Sequence, residues 1–320
     1  MDDRGYRMKL IIQIPCYNEE KTLPVTLGDL PRQFPGVDEA EWLIIDDGST
    51  DKTVEVARAH GVNHIVRHPR NFGLARAFMT GLDACLRSGA DIIVNTDADD
   101  QYSTQDIPNL IRPILERKAE IVVGTRSIED IEHFSPVKKL LQKLGSWAVR
   151  MASKTDISDA PSGFRAMSRE AAMRLNVFNN YTYTLETIIQ AGQKNMAITS
   201  VPIRVNDALR PSRLIKNIPL YVIRSILTII RIFVVYKPFR FFMTIGVSML
   251  FCGFLIGVRF LYYYLTGQGG GHIQSLILAS ILLGIGFQIG LVAFVADLLG
   301  VNRQLMEDIQ YRLRKIDLGQ

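Results

Sequence analysis

Carboxylates at two-residue spacing follow an apolar run at the end of the first third of the chain. Asp97 and Asp99, with Gln101 two residues further on, come directly after the run Ile92–Asn95. Alternate carboxylates at the end of a strand can reach one hard cation, and Mg²⁺ or Mn²⁺ prefers oxygen ligands that are partly supplied by substrate phosphates. Such a cation would stabilise the charge that develops on a diphosphate leaving group. Acidic loops are common, so this motif indicates a metal site mainly because it follows a buried strand.

Two other polar motifs also follow apolar runs. Pro15, Tyr17 and Glu19 come at and after the end of the first run, where Tyr17 could stack on a base and Glu19 could bond to a ribose. Asp46 and Asp47 come after the second run, and a carboxylate there could accept hydrogen bonds from a base or a ribose. The plain alternative is a loop followed by a capped helix start, which would leave the two adjacent acids unexplained.

These motifs are positioned by short apolar runs that alternate with helical patterns in the first half of the chain. The runs are Leu10–Ile14, Trp42–Ile45, Ile65–Val66, Ile92–Asn95 and Ile121–Val123. The helical patterns between them are Glu19–Phe34, Thr50–His60, Leu74–Ser88 and Thr104–Lys118. The alternation predicts an α/β fold, with a parallel sheet covered by helices on both faces. Because ligands of such sheets bind beyond the carboxyl ends of the strands, the three motifs fall where a ligand is expected.

The last third of the chain has a different composition. Between Ala208 and Ala296 there is no Asp or Glu, whereas eight Lys and Arg residues fall in that window, which favours an anionic-lipid or phosphate surface. The segments Phe241–Leu265 and Ile273–Leu299 hold 25 and 27 residues, more than the roughly 20 that cross a bilayer core. The loop between them has no Lys or Arg, while both outer flanks carry many. The positive-inside rule therefore predicts an integral membrane protein with its catalytic domain and both termini in the cytoplasm.

The stretch Arg213–Tyr236, just before these spans, predicts a helix that lies in the membrane interface. Arg224 and Arg231 are seven residues apart in this apolar stretch, so both fall on one side of a helix, at the level of the headgroups. The alternative is a buried helix with one solvated stripe. The expected organisation is a catalytic domain (1–211), juxtamembrane amphipathic helices (212–238), a two-helix transmembrane anchor (239–301) and a cytoplasmic C-terminal helix (302–320).

The motifs, taken in order, resemble the family-2 glycosyltransferases of the GT-A fold. The matching segments are Ile14–Glu20, Ile44–Asp51, Asn71–Gly81, Asp97–Tyr102, Gly124–Arg126 and Asp159–Arg165. Within the family the chain is most similar to dolichol-phosphate mannose synthases and bactoprenol glucosyltransferases, on Asp159–Arg165 and on Val201–Ile203 followed by Arg210–Arg213. The resemblance implies a Rossmann-like domain that binds a nucleotide sugar.

The resemblance also implies a role for each matching residue. The nucleotide would be held by Pro15, Tyr17, Glu19, Asp46, Asp47 and Asp97. The metal, Mg²⁺ or Mn²⁺, would be bound by Asp97, Asp99 and Gln101. Catalytic roles would fall to Asp159, Asp99 and Arg126, and phosphate or acceptor contacts to Arg126, Arg165, Arg210, Ser212 and Arg213.

The reaction implied by the resemblance is an inverting transfer of a hexose from a nucleotide sugar to a polyprenyl phosphate among membrane lipids. UDP-glucose and undecaprenyl phosphate are the expected substrates, with GDP-mannose as the alternative donor. A membrane scaffold that binds a nucleotide without catalysis is the alternative from another class, and a processive polysaccharide synthase is disfavoured because no Gln-x-x-Arg-Trp motif occurs. No nucleic-acid partner is expected. A homo-oligomer is expected, because Gly284, Gly286 and Gly290 would allow close helix packing.

Overall fold

The computed structural model describes residues 7–126, 147, 149–153, 155–157, 159–177, 183–206, 218–267 and 269–319. Contacts divide the chain into two compact units. The first holds residues 1–225 together with 309–320, and the second holds residues 226–308.

A seven-stranded sheet forms the centre of the first unit. The strands are β1 (Lys9–Cys16), β2 (Glu39–Asp46), β3 (His64–Arg67), β4 (Ile92–Asn95), β5 (Ile121–Thr125), β6 (Arg165–Ser168) and β7 (Ile198–Pro202). Their order across the sheet is β3-β2-β1-β4-β6-β5-β7. The five predicted strands are confirmed as β1 to β5.

The sheet is mixed, so the prediction of a wholly parallel sheet is wrong. β6 pairs antiparallel with both β4 and β5, whereas the other pairings between named strands are parallel. β6 is four residues long, begins with Arg and ends with Ser. Its two apolar residues, Ala166 and Met167, are neither β-branched nor aromatic, so the sequence gives little indication of a strand.

Helices cover both faces of this sheet. They are α1 (Leu23–Asp29), α2 (Thr53–Ala59), α3 (Leu74–Arg87), α4 (Ile107–Leu115), α5 (Arg169–Arg174) and α6 (Thr184–Gln193), and a 3₁₀ turn (Thr104–Asp106) precedes α4. Along β1, Leu10, Ile12 and Ile14 belong to a core cluster with side chains of α1 and α4. Gln13 points to the opposite face, where Gly81 of α3 lies so close that an added Cβ would overlap its side chain. The period of two along a strand produces this division.

The chain topology brings the strand ends to one edge of the sheet. β1, β2 and β4 run in parallel, with Cys16 opposite Asp46 and Gln13 opposite Asn95. From β1 the chain continues to β2 and β3 on one side, while β4 lies on the other side. The carboxyl ends of β1 and β4 therefore flank a topological switch point, which is where open α/β sheets bind ligands.

Three further helices carry the apolar part of the chain. They are α7 (Ile218–Tyr236), α8 (Pro238–Leu265) and α9 (Ile273–Asp317), with a short 3₁₀ segment (Gly269–His272) before α9. Within the described residues, α8 and the helix that begins at Gly270 are, by length and composition, able to cross a membrane. In the second unit α8 and α9 pack closely. A Cβ added to Gly286 of α9 would lie 2.9 Å from the carbonyl oxygen of Gly246 in α8.

The end of α9 belongs to the first unit and not to the anchor. The sequence predicts a separate helix over 302–320, but α9 is continuous through Asp317. The Tyr311 hydroxyl donates to Glu170 Oε1 at 2.7 Å, and Arg314 Nη1 donates to the carbonyl oxygens of Met173 and Leu175 at 3.1 and 2.7 Å. Arg314 therefore caps the carboxyl end of α5, where a cation is favourable.

Candidate active site

The acidic loop after β4 presents alternate side chains to the open edge of the sheet. Asp97, Asp99 and Gln101 are partly exposed, whereas Ala98 and Asp100 between them are buried. Asp99 Oδ1 lies 3.4 Å from the Gln101 backbone nitrogen, which donates to it. Exposed and buried side chains therefore alternate along this loop, and Asp97 and Asp99 are both on the partly exposed side.

Asp97 lies against the loop that leads into β6. A Cβ added to Gly163 would be 3.1 and 3.2 Å from the two carboxylate oxygens of Asp97. The approach follows from the sheet, because Asn95 at the end of β4 is opposite Arg165 at the start of β6. The antiparallel strand therefore brings the segment 159–164 to the same edge as the acidic loop.

Asp159, in that segment, forms a buried ion pair with Arg126. Arg126 Nε donates to Asp159 Oδ2 at 2.7 Å, and Nη2 donates to Oδ1 at 3.0 Å. The Arg126 backbone nitrogen adds a third bond at 3.2 Å. Asp159 is fully buried, and the Arg126 side chain is 9% exposed. Burial alone would lower the pKa of Arg126, but the hydrogen bonds and the negative charge of Asp159 outweigh it and raise that pKa.

Tyr102 lies between these charged groups. Its hydroxyl accepts a hydrogen bond from the Gly163 nitrogen at 3.2 Å, and its ring stacks on Phe164. The guanidinium carbon of Arg126 is 5.9 Å from the ring centroid. Burial, with help from the negative charges of Asp97 and Asp159, raises the pKa of Tyr102 to about 12. The structure thus brings Asp97, Arg126 and Asp159 together around a neutral phenol.

The acids at the end of β2 bind groups of the protein itself. Asp47 accepts hydrogen bonds from His68 Nδ1 at 2.8 Å, from the Phe72 nitrogen at 2.9 Å and from the Gly73 nitrogen at 2.8 Å. Asp46 accepts from the Ser49 nitrogen at 2.9 Å. Both carboxylates are buried. They hold the turn after β2 and the loop before α3, and a contact from either one to a nucleotide stays a prediction.

The motif after β1 offers one exposed aromatic ring. Tyr17 is 40% exposed, while Glu19 is 6% exposed and accepts from the Thr22 hydroxyl at 2.7 Å. Pro15 is within β1, opposite Ile45. Tyr17 is therefore the side chain of this motif that is best placed to stack on a base.

Arg165, predicted to contact a phosphate, is placed inside the domain. Its side chain is fully buried and donates to the carbonyl oxygens of Ser162 and Thr184 and to the Thr187 hydroxyl. The reason is its position at the start of β6, between two strands. An anion could reach it only if these contacts broke. Arg210, Ser212 and Arg213 lie outside the described residues.

Two residues near the site were missed by sequence reasoning. Asn206 donates through Nδ2 to the Asp100 carbonyl and carboxylate oxygens at 3.0 and 3.2 Å, and its nitrogen donates to the Gln101 carbonyl. Asn95 is a buried amide that accepts from Gln13 Nε2 at 2.9 Å. A sequence signal existed for the second, since Gln13 and Asn95 are polar residues inside apolar strands and need partners there.

The chain belongs to glycosyl transferase family 2, whose sequence profile matches residues 11–175. The mixed α/β sheet and this family define a GT-A-type glycosyltransferase, which confirms the predicted enzyme class and fold.

Several relatives are similar over about three fifths of this chain. A UDP-N-acetylglucosamine–dolichyl-phosphate N-acetylglucosaminyltransferase of Methanococcus voltae is 32% identical, over 60% of this chain and 83% of its own length. An uncharacterised protein of Methanocaldococcus jannaschii is 30% identical, over 61% and 81%. An undecaprenyl-phosphate mannosyltransferase of Micrococcus luteus is 26% identical, over 61% and 83%.

A solved structure shares the fold. Glucosyl-3-phosphoglycerate synthase from Mycobacterium tuberculosis, in complex with Mn²⁺, UDP and glucosyl-3-phosphoglycerate, superposes with a TM-score of 0.54 at 24% identity. The match covers 70% of this chain and 80% of that one. At this identity the likeness supports the fold alone.

Proposed function

We propose that this protein transfers a sugar from a nucleotide-sugar donor to a polyprenyl phosphate. The observation that carries the proposal is the meeting of the acidic loop with the Asp159–Arg126 pair at one edge of a family-2 domain. Relatives named as transferases to dolichyl and undecaprenyl phosphates support the acceptor class. The two apolar helices give a physical reason for a lipid acceptor, because they would keep the domain at a membrane.

A divalent cation fits the acidic loop. Asp97 and Asp99 are the partly exposed carboxylates of this loop. Residue 163 is a glycine, which leaves space beside Asp97 that a side chain would fill. Two carboxylates with substrate phosphates are a suitable ligand set for Mg²⁺ or Mn²⁺, and Gln101 could add an amide oxygen. Such a cation would neutralise charge on the leaving diphosphate.

Arg126 and Asp159 would orient the reacting groups without moving a proton. Asp159 occupies two of the five N–H donors of Arg126, which leaves the guanidinium able to meet a phosphate oxygen. A phosphate monoester is largely ionised at neutral pH because its second pKa is about 6, so it can attack the anomeric carbon without a base. In this mechanism one glycosidic bond forms, the bond to the nucleoside diphosphate breaks, and the configuration inverts.

The role of Asp159 can be tested by its isosteric amide. Asp159→Asn is expected to lower the rate without a new dependence on pH, because no proton transfer is removed. The measurement is the rate of transfer against pH, with substrate binding measured separately. A rate that rises steeply with pH while binding is retained would point to a general base and refute this role.

The identity of the nucleotide-sugar donor is tested by direct comparison. UDP-glucose is the predicted donor, and GDP-mannose is the alternative, which the mannosyltransferase relative supports. The test is transfer of radiolabel from UDP-glucose, GDP-mannose and UDP-N-acetylglucosamine by the full-length protein in detergent, with undecaprenyl phosphate and Mg²⁺ or Mn²⁺.

Two variants control the donor experiment. Asp99→Asn is expected to abolish metal-dependent transfer. Glu116→Gln is the matched control, because it also replaces a carboxylate by its amide. Glu116 pairs with Lys118 between the end of α4 and the amino end of β5, outside the acidic loop. Failure with a broad panel of donors, with nucleotide binding intact, would favour the non-catalytic scaffold.

The cytoplasmic orientation is proposed on the charge pattern of the sequence. Both flanks of the two helices carry Lys and Arg, while the connection between them has none. Selective labelling of an introduced cysteine at either terminus, in right-side-out and inverted vesicles, measures it. Labelling of both termini from the periplasmic or outer side alone would contradict it.

A further inference from the structure

The backbone N–H and C=O groups of Gly163 are held between two buried tyrosine hydroxyls. On one side, Tyr102 accepts a hydrogen bond from the Gly163 nitrogen at 3.2 Å. On the other side, the Tyr183 hydroxyl donates to the Gly163 carbonyl at 3.3 Å, and Asn95 Nδ2 donates to the same carbonyl at 3.0 Å. Asn95 also donates to the Tyr183 hydroxyl at 2.8 Å. We call Tyr102, Tyr183 and Asn95, with Gly163 between them, the tyrosine clamp.

The clamp is anchored in the core of the first unit. Tyr183 is fully buried, and its ring stacks on Phe78 of α3 with centroids 3.8 Å apart and planes within 6°. Tyr102 is 4% exposed and stacks on Phe164.

The clamp determines what lies beside the Asp97 carboxylate. A Cβ on Gly163 would be 3.0 Å from the Tyr183 hydroxyl and 3.1 Å from Asp97 Oδ2, so Gly163 fills the space between them. The same loop contains Asp159, whose carbonyl accepts from the Ser162 nitrogen at 3.2 Å in a tight turn. A shift of Gly163 would thus move Asp97 and Asp159 relative to each other.

We propose that Tyr183, with Tyr102, is a positioning residue that fixes the Asp97 carboxylate relative to the Asp159–Arg126 pair, and thereby the place of the divalent cation. The inference rests on the proposed function and names residues that would set the geometry of its metal site. Geometry of this kind matters because a misplacement of about 1 Å can cost roughly 10²-fold in rate.

Tyr183→Phe tests the clamp with the smallest possible change. Phenylalanine keeps the stack on Phe78 and removes only the hydroxyl. A net hydrogen bond contributes about 0.5–1.5 kcal/mol, so the dissociation constant for Mn²⁺ in the presence of UDP or GDP is expected to rise by about 2- to 13-fold. The readout is free Mn²⁺ measured by electron paramagnetic resonance on the full-length protein in detergent, which does not depend on turnover.

The matched control is Tyr311→Phe, which removes a hydroxyl that bonds to Glu170 on the other side of the domain. It loses the hydrogen bond of a tyrosine hydroxyl that does not touch Gly163, so it is expected to change the melting temperature without changing the Mn²⁺ constant. An unchanged Mn²⁺ constant in Tyr183→Phe, or an equal change in both variants, would overturn the clamp.

Gly163→Ala provides a second and independent test. Its methyl group would press on both Asp97 and the Tyr183 hydroxyl, and Mn²⁺ binding is expected to weaken more than 10-fold. In the Gly163→Ala/Tyr183→Phe double variant the methyl group can occupy the space left by the hydroxyl. The loss of Mn²⁺ binding free energy in the double variant should therefore be smaller than the sum of the losses in the two single variants. Strict additivity would contradict a shared contact.

Failure of the clamp and failure of the proposed function give different results. If the wild-type protein binds Mn²⁺ with a nucleotide but Tyr183→Phe binds it equally well, the clamp is refuted and the metal site stands. If the wild-type protein binds no Mn²⁺ with either nucleotide, the metal site itself is refuted, and the clamp with it.

Discussion

Removing the Arg126 side chain should strongly destabilise the first unit, because it leaves a buried charge behind. In wild type both oxygens of Asp159 accept from the Arg126 guanidinium, at 2.7 and 3.0 Å, and the carboxylate has no exposed surface. Arg126→Ala deletes both donors while the carboxylate stays in place. The backbone nitrogen of residue 126, at 3.2 Å, is a weaker and uncharged donor.

The expected cost follows from the burial of this pair. Breaking a buried ion pair from one side costs about 3–5 kcal/mol, since the buried carboxylate loses the guanidinium of opposite charge. For a domain of this size that loss corresponds to a melting temperature lowered by roughly 6–20 °C. In Arg126→Ala/Asp159→Ala neither charge remains, so the double variant should be more stable than Arg126→Ala alone, although it should not recover sugar transfer.

Tryptophan fluorescence measures this unit selectively. The only two tryptophans, Trp42 and Trp147, both belong to the first unit, so urea or thermal unfolding followed by their emission is free of signal from the anchor. If Arg126→Ala unfolds within about 1 kcal/mol of wild type, or if the double variant is less stable than Arg126→Ala, the reasoning from a buried ion pair is refuted.

Three further predictions concern other parts of the chain, and two of them have a matched control variant. Gly48 has a φ of +73°, and Gly48→Ala places a methyl group 2.5 Å from the backbone of residue 70, so it should lower the free energy of unfolding by about 2–6 kcal/mol. Gly89→Ala is its control, because Gly89 has a φ of +82° but open space around it. Unfolding followed by fluorescence should show a smaller loss of stability for Gly89→Ala. Gly286→Val should push apart α8 and α9 and lower the melting temperature by circular dichroism in detergent, whereas Gly284→Val faces open space and should not. Arg314→Ala removes two bonds to carbonyls of the first unit, and fluorescence should show a loss of about 1.5–3 kcal/mol.

Each of these has a distinct contrary result. Equal losses for Gly48→Ala and Gly89→Ala would mean that the close backbone contact is relieved at no cost. Equal effects of Gly286→Val and Gly284→Val would contradict the packing of α8 on α9. A neutral Arg314→Ala would show that the end of α9 does not stabilise the first unit.

The sequence predicts the parts of the fold that are encoded locally. β1 to β5 are apolar runs of at least two residues between turn signals, and the two long apolar helices are plain from composition. β6 could not be found in this way, because its burial comes from the strands beside it and its two apolar residues, Ala166 and Met167, are neither β-branched nor aromatic. β7 is an edge strand with partly buried residues, and its pattern has no continuous apolar signal.

The same division applies to the candidate site. The alternation of Asp97 and Asp99 is a local property and is visible in the sequence. The hydrogen bonds of Asp47 are not, because the nitrogens of Phe72 and Gly73 come from a loop about 25 residues away. For the same reason the clamp on Gly163 was missed, since Tyr183 reaches it from a position 20 residues further along the chain, just before α6.

The acceptor assay tests the central claim most directly. The full-length protein is incubated with Mg²⁺ or Mn²⁺, the labelled donor that it uses, and either undecaprenyl phosphate or 3-phosphoglycerate, the latter because a structural neighbour is named for its glucosyl product. We expect label in the organic phase with undecaprenyl phosphate only, released as free sugar by mild acid, and lost in Asp99→Asn but kept in Glu116→Gln. Label on 3-phosphoglycerate, or no lipid-linked label with any donor, would contradict a polyprenyl-phosphate glycosyltransferase.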